Sequence, residues 1–194
     1  AIRRQRQMCI RDSGTLIYRF APGAGMELVM DVDATIPEDA VTLPRLGIQF
    51  AMPAGNEKLN YFGCGPMETY CDKRQAGLVG VYTCDVSDHF EHYVRPQENM
   101  AHTETHWVRV TDAAGHGLAV TPAGEMSDLS FNCSHFSPAQ LTGTAHDYDL
   151  IPQSVTYVNV DYKQAGIGSN SCGPRLREEY RLPSGHYVFD IRVE

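Results

Sequence analysis

The residues of this chain whose types and spacing could do chemistry fall into three segments. The first is Asp161-Tyr-Lys-Gln-Ala-Gly-Ile-Gly-Ser-Asn-Ser-Cys-Gly-Pro-Arg175. Three glycines, two serines, an asparagine and a proline follow a β-like run, so the backbone must take up special φ/ψ values and approach another surface closely. Asn170, Ser171 and Cys172 stand at the tip of this loop and are the candidate contact residues. The second segment is Tyr61-Phe-Gly-Cys-Gly-Pro-Met-Glu-Thr-Tyr70, followed by Cys71-Asp-Lys-Arg-Gln-Ala76. Its glycines and proline end a strand, after which Glu68, Tyr70, Asp72 and Arg74 form either a polar cluster in a cleft or an ordered loop whose arginine and carboxylates pair with one another. The third is Tyr93-Val-Arg-Pro-Gln-Glu-Asn99, where Arg95 before Pro96 favours an extended backbone. Gln97, Glu98 and Asn99 would then be presented together, suited to sugar hydroxyls, which need donors and acceptors, and equally to an internal loop clamp.

Other candidates carry less. The six cysteines are Cys9, Cys64, Cys71, Cys84, Cys133 and Cys172, no two closer than seven positions. That matches neither zinc-ligand spacing nor a dense disulfide framework, and most of them read as small buried hydrophobes in a reducing compartment. The eight histidines do not nominate a pair. On a strand His102 and His106 would stand about 13 Å apart, too far to share a proton or a metal ion. Glu178 and Glu179 are adjacent, so on a strand they face opposite ways and cannot act as a carboxylate pair. No glycine-rich phosphate loop opens a helix. Trp107, the only tryptophan, lies in an alternating run and reads as a core anchor.

The elements that must position these groups are strands. The dominant period is two, in Gly14–Phe20, Met26–Ile36, Arg45–Met52, Lys58–Phe62, Leu78–Tyr82, His106–Asp112, Gly117–Thr121, Leu129–Ser134, Ser154–Val160 and Gly185–Val193. Thr105–Thr111 and His116–Val120, joined across Asp112-Ala-Ala-Gly115, make a hairpin. Only Ser137-Pro-Ala-Gln-Leu141 looks helical, with Ser137 as cap and Pro138 in the first position. Roughly ten strands with almost no helix predict an all-β fold, a large antiparallel sandwich spanning residues 1–194 as a single domain.

A net charge of −8 argues against nucleic acid or an anionic membrane as partner. No run of about 18 apolar residues could span a bilayer. The chain opens at Ala1 and enters a charged segment directly, as expected of a piece of a longer polypeptide.

Four stretches in order, Leu-Pro-Arg-Leu-Gly from Leu43 and the runs from Tyr61, Tyr93 and Asp161, together with the Leu-Pro-Ser-Gly-His-Tyr ending near Leu182, resemble the C-terminal (small-chain) domain of glycoside hydrolase family 2 β-galactosidases. The resemblance covers about residues 43–194; residues 1–42 match loosely, as two opening strands. It implies a supersandwich of the galactose mutarotase-like kind, placed last in a multidomain bacterial, cytoplasmic enzyme that hydrolyses β-galactosides such as lactose. In that family two glutamates on a TIM barrel perform hydrolysis with retention. A barrel needs about 250 residues, so no catalytic residue is expected here. The implied partners are the parent's own barrel and the galactoside, within a homo-oligomer; magnesium and sodium or potassium are implied for the parent and no cofactor for this segment. Many members carry a tryptophan stacking on the sugar where this chain has Cys172, a departure that puts the stacking platform in doubt. The competing reading is a free-standing carbohydrate-binding or mutarotase-like module.

Overall fold

The computed structural model describes residues 13–20, 25–36, 40–168 and 174–194. Eleven strands form two antiparallel sheets. In chain order they are β1 (Ser13–Phe20), β2 (Met26–Ala34), β3 (Arg45–Met52), β4 (Lys58–Gly65), β5 (Leu78–Asp85), β6 (His102–Thr105), β7 (Trp107–Thr111), β8 (Gly117–Ala123), β9 (Leu129–Ser134), β10 (Thr156–Gln164) and β11 (Gly185–Val193). The larger sheet runs β1-β2-β11-β8-β7-β4-β5 and the smaller β3-β10-β9-β6. Alternation turns Leu59, Tyr61, Val108, Val110, Val120 and Ile191 of the first sheet toward Phe131, Cys133, Val158 and Val160 of the second, and these fill the main core. A second cluster, Val32, Ala34, Leu43, Ala165, Leu176 and Leu182, packs at one end and includes residues on either side of the glycine-rich loop. The antiparallel sandwich expected from the period-two pattern is the fold observed.

The hairpin and the helix form as their residues dictate. Asp112 accepts the backbone N–H groups of Ala114 and His116 at 2.8 and 2.9 Å, and Gly115 takes the left-handed φ of 86° that closes the β7–β8 turn. Helix α1 (Pro138–Gly143) is capped by Ser137 Oγ, which accepts from Gln140 N at 3.2 Å.

Three expectations need correction. The strand β6 was not expected: His-Thr-Glu-Thr lacks a clear alternation, and Glu104 adopts a φ of 53° as the chain passes from the smaller sheet to the larger one. Trp107 is half-buried on the outer face of β7, because Val108 and Val110 occupy the inward positions. Glu178 and Glu179 lie in a 3-10 turn, Glu178–Tyr180, and not on a strand; Glu179 pairs with Arg177 at 3.5 Å and Glu178 with Arg181 at 3.8 Å.

Candidate functional site

The expected contact residues Asn170, Ser171 and Cys172 lie outside the described residues, which stop at Gly168 and resume at Pro174. What the structure shows is how that loop is rooted. Strand β10 delivers the chain to Gln164. From there each backbone N–H meets a fixed acceptor: Ala165 N donates to Pro44 O at 3.0 Å and Gly166 N to Tyr180 O at 2.9 Å. The next two both go to one carboxylate, Ile167 N to Asp72 Oδ1 at 3.2 Å and Gly168 N to Asp72 Oδ2 at 2.8 Å. Two glycines make this possible. A Cβ at position 166 would meet the Asp72 carboxyl carbon at 2.5 Å, and Gly168 takes the left-handed φ of 60°. Cys71, next to Asp72, donates its thiol toward the carbonyls of Gln164 and Tyr180 at 3.8 Å, and burial pushes that thiol's pKa up. On the return side Leu176 is buried in the second cluster. A cleft of about 500 Å³ opens beside this root, bordered by Cys71, Tyr162, Gln164, Glu179, Tyr180 and Arg181 among others.

Glu68, Tyr70, Asp72 and Arg74 do not gather in one cluster, nor do they pair with each other. Asp72 holds the loop, Arg74 grips Glu104 through both Nε and Nη2, and Tyr70 is buried. Glu68, also buried, bonds Lys73 and the Tyr93 hydroxyl and accepts Met100 N at 2.9 Å. Burial would raise the Glu68 pKa, but Lys73, Tyr93 and the Met100 amide outweigh it and hold the carboxyl below its ordinary value.

Glu98 and Asn99 serve as an internal clamp, whereas Gln97 is exposed and contributes only its backbone carbonyl. Asn99 accepts Glu91 N at 3.2 Å and donates to Gln97 O at 3.0 Å. Glu98 receives Arg45 Nη1 at 2.8 Å, Asn132 Nδ2 at 2.9 Å and Gln164 Nε2 at 3.1 Å. Arg45 also forks onto Asp161, Nε to Oδ1 at 3.1 Å with Nη2 on Oδ2. The row continues along the non-core face of the smaller sheet through Asn132, Asn159 and Gln49, at 2.8 and 2.7 Å. Burial disfavours the Arg45 charge, yet Asp161 and Glu98 more than compensate, so its pKa is raised. The whole row braces β10, the strand that feeds the loop, from behind.

One pairing carried no sequence signal. His89 and His102 meet inside the core with their Nε2 atoms 2.8 Å apart. Burial lowers both, to about 4 for His89 and about 3 for His102, where His89 adds to the effect. His102 Nδ1 lies 2.9 Å from the Cys64 carbonyl and 3.3 Å from the Tyr61 hydroxyl, and His89 Nδ1 lies 2.9 Å from the Cys133 carbonyl, so each ring is tied to a backbone carbonyl on one side and to the other ring through Nε2. These buried rings reach no open pocket and are structural.

Fold and site together define an all-β sandwich domain that holds a small-residue loop by a rigid root. The chain belongs to the β-galactosidase small chain family, whose model matches residues 3–193. The match takes in the opening strands as well as the stretch from Leu43. β-Galactosidase of Staphylococcus xylosus is 35% identical over 181 residues, 93% of this chain and 18% of that protein. β-Galactosidase of Actinobacillus pleuropneumoniae is 32% identical over 180 residues, 93% of this chain and 17% of its own length. The enzyme of Halalkalibacterium halodurans is 32% identical over 161 residues, covering 81% of this chain and 15% of that protein. The chain therefore spans less than a fifth of these relatives. Among the described residues no helix is long and apolar enough to cross a membrane. Nor does any group of three or more His, Cys, Asp or Glu side chains among them fit a metal ion.

Proposed function

We propose that this chain is the C-terminal, non-catalytic sandwich domain of a glycoside hydrolase family 2 β-galactosidase that cleaves terminal β-galactosides such as lactose. The observation that carries the reading is the Asp72 clamp: a surface carboxylate is committed to holding the backbone of a Gly/Ser/Asn loop at Ile167 and Gly168. Such a root suits a loop whose tip must keep its place against a ligand. Asn170, Ser171 and Cys172 would then form part of the wall of a galactose pocket. Hydrolysis belongs to two carboxyl groups of the parent's barrel, about 5–5.5 Å apart, one as acid/base and one as nucleophile, as retention requires. Cys172 lacks the face needed to stack on the sugar, so it contributes shape rather than a platform. The parent works as a cytoplasmic homo-oligomer in a bacterium, with its cations bound outside this domain. A mutarotase-like activity would need an acid and a base across one open pocket, and the histidines that do come together are sealed in the core. The test is the Michaelis constant of the full-length enzyme for lactose with Cys172→Trp and Cys172→Ala. A change in either supports the placement; unchanged values in both remove Cys172 from the pocket.

A further inference from the structure

Strand β5 ends the larger sheet, so one of its edges has no strand beside it among the described residues. Its side chains are apolar where water meets them: Val79 is 46% and Val81 66% exposed on one face, and Leu78, at the strand's start, is 74% exposed on the other. On the outer face Val81 stands opposite Phe62 of β4, and Phe62 opposite Trp107 of β7, making one apolar row across three strands. The His106 ring lies against Phe62 with centroids 4.8 Å apart. The next rows are polar: Thr83 bonds Asn60 at 2.8 Å and Lys58 pairs with Asp85 at 2.7 Å. A contiguous apolar patch with a polar rim, on an open sheet edge, is the pattern of a surface that another protein surface covers.

The occupant follows from what is at hand. Residues 1–12 carry four arginines and adjoin β1, at the opposite end of the sheet from β5, while Ser169–Gly173 are small and mostly polar. The relatives from Staphylococcus and Actinobacillus carry more than four-fifths of their length outside the matched segment. We infer that the Leu78–Val81 edge with Phe62 and Trp107 is the face on which this domain docks against the rest of the β-galactosidase polypeptide, through an uncharged apolar surface of that polypeptide. The inference rests on the reading of the chain as one domain of a longer enzyme. It accounts for Trp107, which would otherwise be a large ring half in water.

The test is maleimide labelling of the full-length polypeptide carrying Val81→Cys, resolved by peptide mass spectrometry, with the urea-unfolded protein as the reference rate. Docking predicts labelling at least about tenfold slower in the native protein, as for a site that opens only rarely. Labelling within about twofold of the unfolded rate overturns it. Slow labelling that disappears at dilutions where sedimentation shows a monomer assigns the face to a second copy instead, and also overturns it. Should Val81→Cys fail to fold, hydrogen exchange of those amides of residues 79–83 that point away from β4, read residue by residue in the unsubstituted full-length protein, decides, slow exchange in the monomer supporting docking and fast exchange refuting it. Absence of any longer polypeptide would sink the domain reading itself, whereas a longer polypeptide with a freely labelled Val81 sinks only the docking face.

Discussion

Replacing Asp72 with alanine removes the acceptor of two backbone amides while leaving every loop residue unchanged. A hydrogen bond contributes about 0.5–1.5 kcal/mol and one to a fully desolvated charged acceptor about 1.5–3 kcal/mol, so a partly solvated carboxylate gives about 1–1.5 kcal/mol per bond. Asp72 is half-buried, so its two bonds to Ile167 N and Gly168 N together stabilise the root by about 2–3 kcal/mol. At about 1.4 kcal/mol per factor of ten, local opening should become about 30- to 150-fold more frequent. Amide hydrogen exchange at Ile167 and Gly168, followed by mass spectrometry or NMR, reads this directly. Amides in the centre of β10 should hardly move, because Asn159 and Val160 are paired on both sides. Asp72→Asn keeps one carbonyl acceptor and should give roughly half the effect in free energy. Gly166→Ala should imitate Asp72→Ala by a different route, since its Cβ would press on the same carboxyl group at 2.5 Å. Under the proposed function, the Michaelis constant of the full-length polypeptide for a galactoside should rise with these variants. Exchange at Ile167 and Gly168 within twofold of the unsubstituted protein in Asp72→Ala would show that the clamp does not hold the loop, and the reasoning would fail at its first step.

Two further outcomes are expected. Arg45→Ala strands the nearly inaccessible Asp161 carboxylate and Glu98 without their counter-charge, at a cost of about 3–5 kcal/mol in urea unfolding; adding Asp161→Asn should recover part of it, and strict additivity of the two losses would contradict the coupling. The buried histidine pair makes stability fall with acid: folded-state values of about 4 and about 3 against 6.5 mean that the unfolded chain takes up protons first, so stability is full above about pH 6.5 and drops as pH falls toward 4. The slope approaches about 1.4 kcal/mol per pH unit for each histidine, and His102→Gln should remove about half of it between pH 6.5 and 5; an unchanged slope there would assign the acid sensitivity to other groups.

The strands were legible because one face of each is buried and period-two alternation records that directly. Where the alternation fails the reading fails too, as at β6, whose backbone turns through the positive φ of Glu104 to change sheets. Trp107 misled for a related reason: alternation fixes which residues share a face but not which face is covered, and Val108 and Val110 took the inside. The glycines of the loop announced a close approach, and the structure supplies what is approached. Asp72 stands 95 positions from Ile167, and nothing in a local pattern ties two such positions together. The same holds for His89 and His102, thirteen positions apart along an irregular segment. Gln97, Glu98 and Asn99 were legible as a polar group, but their two uses could be told apart only once Arg45 and Asn132 were seen to occupy Glu98.

Under the proposed function, distance along the chain also explains why the root matters for binding. Ordering one residue's backbone costs about 1–2 kcal/mol, so if residues 165–168 were free until a ligand arrived, binding would bear roughly 4–8 kcal/mol for them alone. Their four amides are instead satisfied by Pro44, Tyr180 and Asp72, and Ala165 and Leu176 are buried on either side of the loop. The ordering cost is thereby met during folding, where the second core cluster offsets it. This is preorganisation in the ordinary sense: affinity gained by having less to immobilise. It also predicts where tolerance ends, since substitutions at the tip alter contacts one at a time, whereas a change at Asp72 or Gly166 returns the whole root to the binding step.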